Sequence, residues 1–567
     1  MKFSDMIYVR PDEAELKSEI SSLTKKLEDA KSYSEAREVF LQKDKWLRHV
    51  MTLSTLVEIR QSINTNDEFY GSEKKFFNAL MPELEEHLQN FSNALLESPY
   101  RSEFAEEFGE LMFLNAQIAL KTFSPEIIPL LQEESDVALE YENLLASAAI
   151  EFHGKICTLS QLTPYKTDPD DEKRLEAWKA EGQWFKDNRE KFDELYDRLV
   201  HLRDEMGRKL GYDGYTELGY YRMNRNCYTK DDVEKFRSAV VKYVVPLADG
   251  IYKKQAERLN MPYPLSFSDK ALEYRSGNPR PAKDAEGILA HAKKFYDELS
   301  KETSEFFNMM LNNELMDVLS TKGKASGGYC TSLYDYEVPF IFANFNGTQG
   351  DIEVVTHEAG HAFADYLNKD RVPVEYTQAT YEACEVHSMS MEFFAWKWAE
   401  GFFAGDTKKY LYSHLSGALT FIPYGTAVDH FQHIAYEHPE LTGEERHAEW
   451  KKLLNLYMPW VRLDGDIPFY GEGMDWQMKH HIYSLPFYYI DYCLAQMVAL
   501  EFFMLIQKDF SLAWKKYMDY SKNGGSMVFT ELLKHAELAS PFDENCIKEV
   551  CRAAAEWLEN TDIRDIE

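Results

Sequence analysis

The sequence predicts a mainly α-helical protein with one small β-sheet, and three observations carry that expectation. Apolar residues recur at steps of three and four along most of the 567 residues, the spacing of helices with one buried face. The first such run opens on the acidic start Pro11-Asp12-Glu13 and continues through Leu16, Ile20, Leu23 and Leu27. Only residues 327–351 gather β-forming residues between Gly, Pro and Asn. A hydrophobic content of 44% and an aromatic content of 14% supply a sizeable core, enough for two domains or one large fused one.

Taken in order, amphipathic runs at 45–61, 72–96 and 124–149 predict a helical N-terminal region. Residues 154–166 alternate weakly and predict a short hairpin or extended link, followed by a charge-rich helix over 171–211. Residues 211–229 look like loop and turn. Helices are expected at 231–259 and 284–312, with 260–281 as a connector. Two strands are expected at 326–331 and 339–345, and helix from there to the C-terminus. The most membrane-like stretch, 488–506, is interrupted by Asp491, Gln496 and Glu501. A buried helix is therefore expected there rather than a membrane span.

Charge and cysteine usage narrow the function classes. A formal charge of −33 argues against nucleic acid or an anionic membrane as partner. The seven cysteines are scattered, odd in number and without a CxxC pair, as expected of reduced thiols. Residues 1–19 hold no apolar signal-like run, so the expected location is cytoplasmic.

The chemistry concentrates at His357-Glu358-Ala359-Gly360-His361. On a helix, residues four apart share a face, so both imidazoles can ligate one ion. Glu358 then stands where a general base activates water, the H-E-x-x-H arrangement of zinc hydrolases. Chance would place this pattern in only ~5% of chains of this make-up. Its flanks, Val354, Val355, Ala362, Phe363, Tyr366 and Leu367, are apolar, and imidazoles in a buried helix need partners.

A catalytic zinc takes three protein ligands and keeps one position open. The next long helical pattern, 380–399, offers Glu382, Glu385 and Glu392. Glu385 shares a stripe with Ser388, Glu392 and Trp396 and lies 24 positions after His361, room for a turn and a returning helix. Glu385 is the expected ligand and Glu382 its alternative. Asp365 and Glu392 are candidate hydrogen-bond partners of the ligating histidines. His387, His430 and His433 are expected to satisfy local hydrogen bonds.

Together with Glu385-Val386-His387-Ser388 and the late segment His480-His481-Ile482-Tyr483-Ser484-Leu485-Pro486-Phe487-Tyr488-Tyr489-Ile490-Asp491-Tyr492, this motif resembles the oligoendopeptidase F and thimet oligopeptidase family of zinc metallopeptidases. The likeness covers roughly residues 200 to 560. It implies two helical lobes around a deep substrate channel and a zincin-like catalytic core with a small β-sheet. In that frame residues 1–200 form an N-terminal helical domain roofing the channel, and 201–567 the catalytic domain. It further implies one Zn2+ held by His357, His361 and Glu385, with Glu358 as general base. His481, Tyr489 and Tyr492 are implied as donors to the transition-state oxyanion, with His480 the alternative under the thimet spacing. The implied substrates are short oligopeptides cut at internal bonds.

The expected mechanism needs no Ser or Cys nucleophile. Zinc lowers the pKa of its water towards ~7; Glu358 takes the proton and passes it to the leaving amine. A catalytically dead peptide-binding protein would have lost Glu358 or a ligand, and none is lost. A helical scaffold with an adventitious metal would bind zinc without proteolysis.

Overall fold

Short polar side chains start the helices as backbone chemistry requires. The Asp12 carboxylate accepts from the Glu15 N–H, Ser32 from Glu35, and Asp67 from Phe69 and Tyr70, each satisfying donors that the first turn leaves free. The computed structural model describes residues 1–325 and 327–561. Ser326, the first residue of the first expected strand, lies outside them, as do the last six residues of the expected second domain.

The molecule is mainly α-helical. The N-terminal region contains helices Glu13–Asp29, Tyr33–Ile63 and Glu68–Leu96, then Ile128–Ala146. The first three bury Leu16, Ile20, Val39, Phe40, Leu80 and Leu84 in an apolar cluster that also takes in Phe104, Phe113, Tyr334, Val374 and Tyr376. The main core draws on Met6, Leu56 and Ile59 and on most of the buried apolar residues from Ile127 to Leu558. Each large aliphatic or aromatic side chain buried there contributes about 1.5–3 kcal/mol.

Differences from the sequence expectation have local causes. The 171–211 run divides into Asp171–Asp187 and Arg189–Lys209 at Asn188, whose amide donates to the Trp184 carbonyl at 2.8 Å and competes with the helix ladder. The 231–259 run widens into a π turn at Val240–Val244 just before Pro246, which has no N–H to give. The hairpin lies earlier than expected, with β1 (Ile150–Phe152) antiparallel to β2 (Lys155–Cys157). His153 and Gly154 take φ of 48° and 75° between them, the twist that suits a two-residue turn. Leu159–Lys166 is instead a helix, begun by a Thr158–Gln161 capping box. Helix Tyr215–Arg222 occupies part of the expected turn zone, held by buried Tyr215, Leu218 and Tyr220. The connector contains the short helix Phe267–Lys270.

The sheet near the motif has three strands. β3 (Met316–Leu319) runs parallel to β5 (Val338–Phe345), and β4 (Tyr329–Leu333) runs antiparallel to β5 on its other side. Two were expected; β3 was hidden because its four residues, Met-Asp-Val-Leu, are too short a run to show a strand's alternation. β4 is an edge strand. The long apolar helix is Tyr489–Lys508, and 72% of its most apolar window is buried. Two of its three polar interruptions are paired inside the protein. Asp491 accepts from Tyr228 at 2.9 Å and Arg225 at 3.1 Å, and Glu501 accepts from the Ala539 N–H.

One buried ion cluster ties the first half of the chain to the second. Arg203 and Arg222 donate to Glu134 at 2.6 and 2.8 Å, and Arg203 also reaches the Tyr436 hydroxyl. Burial alone would raise the Glu134 carboxyl, but the two guanidiniums outweigh it and hold the carboxyl at about 2. The folded value lies below the unfolded one near 4.5. The stabilisation, about 3 kcal/mol by linkage, is therefore fully present above that range and is lost as pH falls towards 2. Glu134→Gln should lower the urea midpoint markedly at pH 7, and the gap to wild type should close below pH 4.5. A gap that stays constant on acidification would refute this account.

Candidate metal centre

The motif lies on helix Gly350–Asn368, the histidine helix. Asp351 in its first turn accepts the N–H groups of Asn346 and Gly347 at 2.9 and 2.8 Å, which fixes where the helix begins. Four residues of rise bring His357 and His361 onto one face, ring centroids 5.0 Å apart. Helix Tyr381–Phe394, the glutamate helix, packs across that face and supplies Glu385, which is only 3% exposed.

The two imidazoles converge on one carboxylate oxygen. Glu385 Oε2 lies 3.3 Å from His357 Nε2 and 3.5 Å from His361 Nε2, and the three ligand atoms fall within 4.8 Å of one another. Ligands bound at roughly 2.0–2.2 Å in a tetrahedron stand about 3.3–3.6 Å apart. Both edges that meet at Glu385 match this spacing, and the donor set of two imidazoles and a carboxylate suits a zinc-like ion. Burial lowers the basicity of both histidines, but the carboxylates facing them reverse this and raise His357 well above its usual range and His361 above its own. Glu385 is held well below the carboxylate range by the same contacts. Glu382, the alternative ligand, is turned elsewhere. It accepts from Thr380 at 2.8 Å, and burial with nearby Asp491 raises its carboxyl.

Hydrogen bonds orient the ligands from behind. His357 Nδ1 bonds Glu392 Oε1 at 2.6 Å. Glu385 receives the Ser388 hydroxyl at 3.1 Å on Oε2 and the Tyr488 hydroxyl at 2.7 Å on Oε1. Asp365, the other candidate partner, makes no hydrogen bond to a ligating histidine among the described residues and accepts from Ser332 at 2.6 Å and Gln378 at 3.3 Å. Glu358 makes no hydrogen bond among the described residues. Its Oε1 would lie 3.8 Å from a Cβ placed on Gly328, so it faces the chain just before edge strand β4.

The late histidines and tyrosines divide. His481 Nε2 faces the Tyr492 hydroxyl at 3.4 Å, and its ring stacks on Tyr488 at 5.6 Å and 9°. Burial, aided by the Lys479 and His480 charges, lowers His481 to about 3, so it is a neutral imidazole able to donate. Burial and the Glu385 charge raise Tyr492, which keeps its O–H. The Tyr489 ring is 5.0 Å from His481 in an edge-on contact and also carries the Lys479 ammonium at 5.1 Å from its centroid. His480 turns outward to Glu142 at 3.1 Å.

Known proteins share this fold. Residues 3–123 match the family signature described as the peptidase M3 N-terminal domain, and residues 282–551 match that of peptidase family M3. A solved structure of a protein provisionally designated oligoendopeptidase F superposes with a TM-score of 0.96 at 43% identity, over 99% of each chain. The chain belongs to peptidase family M3. The structure of PZ peptidase A with an inhibitor is similar at a TM-score of 0.96 and 42% identity, over 100% of each chain. Oligopeptidase PepF of Bacillus subtilis (strain 168) is 24% identical over 255 residues, 43% of this chain and 37% of that protein. The match thus spans well under half the length of that relative.

For this M3 chain the family resemblance read from the sequence stands, and the structure adds residues that the sequence concealed. Tyr488 is one. It sits seven positions after His481, but Leu485-Pro486-Phe487 breaks the helix between them, so no periodicity linked the two. His414, on helix Thr407–Glu437, is another, bonding Glu392 Oε2 at 2.7 Å. Of the three histidines expected to bond locally, His430 bonds Tyr457 and His433 bonds Tyr220, each at 3.0 Å. His387 does not. Both its nitrogens are buried without a partner among the described residues, beside the Tyr520 ring, and burial lowers it to about 3. The neutral ring packs there as an apolar group.

Proposed function

We propose that this chain is a zinc-dependent endopeptidase that hydrolyses internal bonds of short, unstructured peptides. The observation that carries the reading is the convergence of His357 Nε2 and His361 Nε2 on Glu385 Oε2 at 3.3 and 3.5 Å, with an unbonded Glu358 carboxylate one residue from the first ligand. A zinc ion held by these three groups would supply a Lewis acid that acidifies water and polarises the scissile carbonyl. Glu358 takes the proton from the attacking water and delivers it to the leaving amine. The N–H of His481 and the O–H of Tyr492 face the growing oxyanion, while Tyr488 holds Glu385 in place. β4 offers an open edge on which an extended peptide can add as a strand.

In this reading residues 1–200 cover the cleft and 201–567 form the catalytic domain, so folded proteins are kept from Glu358. An extended chain covers about 3.3 Å per residue, which suits peptides of roughly 5–20 residues in a deep channel. The acidic surface disfavours nucleic acid and anionic membranes as partners, and the seven free thiols favour a cytoplasmic location.

Chelation should abolish hydrolysis of such peptides and zinc should restore it, while a stable folded protein stays intact. Full activity in protein shown metal-free by elemental analysis would end the zinc reading. Rapid cutting of the folded protein at its loops would mean an open cleft and a general endopeptidase. His481→Ala and Tyr492→Phe should each lower kcat by about 10²–10³-fold with little change in KM, the pattern of donors that tighten in the transition state. A normal His481→Ala enzyme beside a crippled His480→Ala enzyme would move that role to His480.

A further inference from the structure

We propose that Trp396 and His414 are positioning residues of the metal centre, and that they set the proton arrangement of His357 through Glu392. This inference rests on the metal reading above. Four side chains from three helical segments and the turn Ala395–Trp398 form one hydrogen-bonded line. Trp396 Nε1 donates to His414 Nδ1 at 3.0 Å, His414 Nε2 meets Glu392 Oε2 at 2.7 Å, and Glu392 Oε1 meets His357 Nδ1 at 2.6 Å. An indole N–H can only donate. His414 Nδ1 must therefore accept, which places the proton of the neutral ring on Nε2, aimed at Glu392.

The carboxylate of Glu392 then has one oxygen committed to His414 and the other free to accept from His357. That bond keeps a proton on His357 Nδ1, so Nε2, which faces Glu385 Oε2 at 3.3 Å, is the nitrogen whose lone pair goes to a bound ion. The line has one consistent direction, and it ends in the ligand lone pair a metal needs. Its geometry is stiff. His414 is 8% exposed and is wedged against Phe393, Tyr410 and Trp396, with ring centroids at 4.7, 5.5 and 5.8 Å. Helix Thr407–Glu437, which contributes no ligand, is thereby coupled to the ion. Partners of ligating histidines typically change metal affinity 10–100-fold when lost.

The test measures zinc release into excess chelator, together with the melting temperature of the metal-free protein. His414→Leu keeps bulk but neither accepts nor donates; release should quicken about tenfold or more. His414→Gln can accept from Trp396 through its carbonyl and donate to Glu392 through its amide, so release should stay within about threefold of wild type. Trp396→Phe keeps the ring without the N–H, frees His414 to carry its proton on Nδ1, and should give an intermediate rate.

Unchanged release from His414→Leu would overturn the proposal, as would equal release from the Leu and Gln variants, because shape rather than hydrogen bonding would then be responsible. Should His414→Leu fail to fold, Trp396→Phe decides, and a wild-type rate there would overturn the proposal. Wild-type protein that takes up no zinc would instead remove the metal reading itself, a result distinguishable from all of these.

Discussion

Glu358→Gln is expected to keep zinc and peptide affinity while losing about 10²–10⁴-fold in kcat. The two side chains have the same shape, and Gln cannot take a proton. Glu358 is placed for that one task. Its carboxylate makes no hydrogen bond among the described residues, unlike Glu385 and Glu392, and it looks towards Gly328 at the approach to β4. Burial, opposed by the charges of His357 and His361, raises its pKa above the ordinary carboxylate value, which makes it a better base than an exposed Glu. Since the mutation leaves all three ligands in place, zinc content and KM should hold. A kcat within threefold of wild type would show that another group moves the proton. Loss of zinc would show Glu358 acting as a ligand. Glu385→Ala provides the contrast: it should release the ion, and Glu382→Ala should not.

Much of this centre was legible because its logic is local. His357, Glu358 and His361 occupy one helical turn, where spacing alone fixes the face they share. Glu385 was reachable because its helix returns directly from the first. The outer partners were not legible in the same way. His414 lies 57 positions after His357, on a helix whose apolar residues occupy most of its circumference, so nothing in its own neighbourhood marked one polar side chain for Glu392. Tyr488 was masked by the helix break at Pro486, and Asp365, one of two candidate partners of the ligating histidines, bonds Ser332 on β4 and Gln378 instead. The helical character of the chain followed from periodicity. The details that failed were places where packing or a single residue overrides it: Pro246, Asn188, and the short helix held by Tyr215 and Tyr220.

Gly360→Ala should be nearly as damaging as losing the base, although residue 360 touches no substrate. Alanine is ordinarily the better helix former by about 1 kcal/mol, so the exposed Gly417, with nothing within 4 Å of its missing Cβ, should accept Ala and gain stability. At residue 360 the same methyl would lie 2.7 Å from the Ser388 Cα and 2.9 Å from the His387 carbonyl oxygen. Both are backbone atoms of the glutamate helix and cannot rotate aside. The helices must therefore separate, and overpacking of this kind costs about 1–3 kcal/mol. The larger consequence falls on the ligand triangle. His357 and His361 ride on one helix and Glu385 on the other, so a shift between them opens the 3.3 and 3.5 Å edges together. A misplacement of about 1 Å is typically worth 10²-fold in rate. Gly360→Ala should thus lose zinc faster and fall about 10²-fold in kcat/KM, whereas Gly417→Ala retains both. Equal zinc retention and activity in the two variants would mean that the helices absorb the methyl without moving the ligands, and that the close contact at Gly360 serves packing alone.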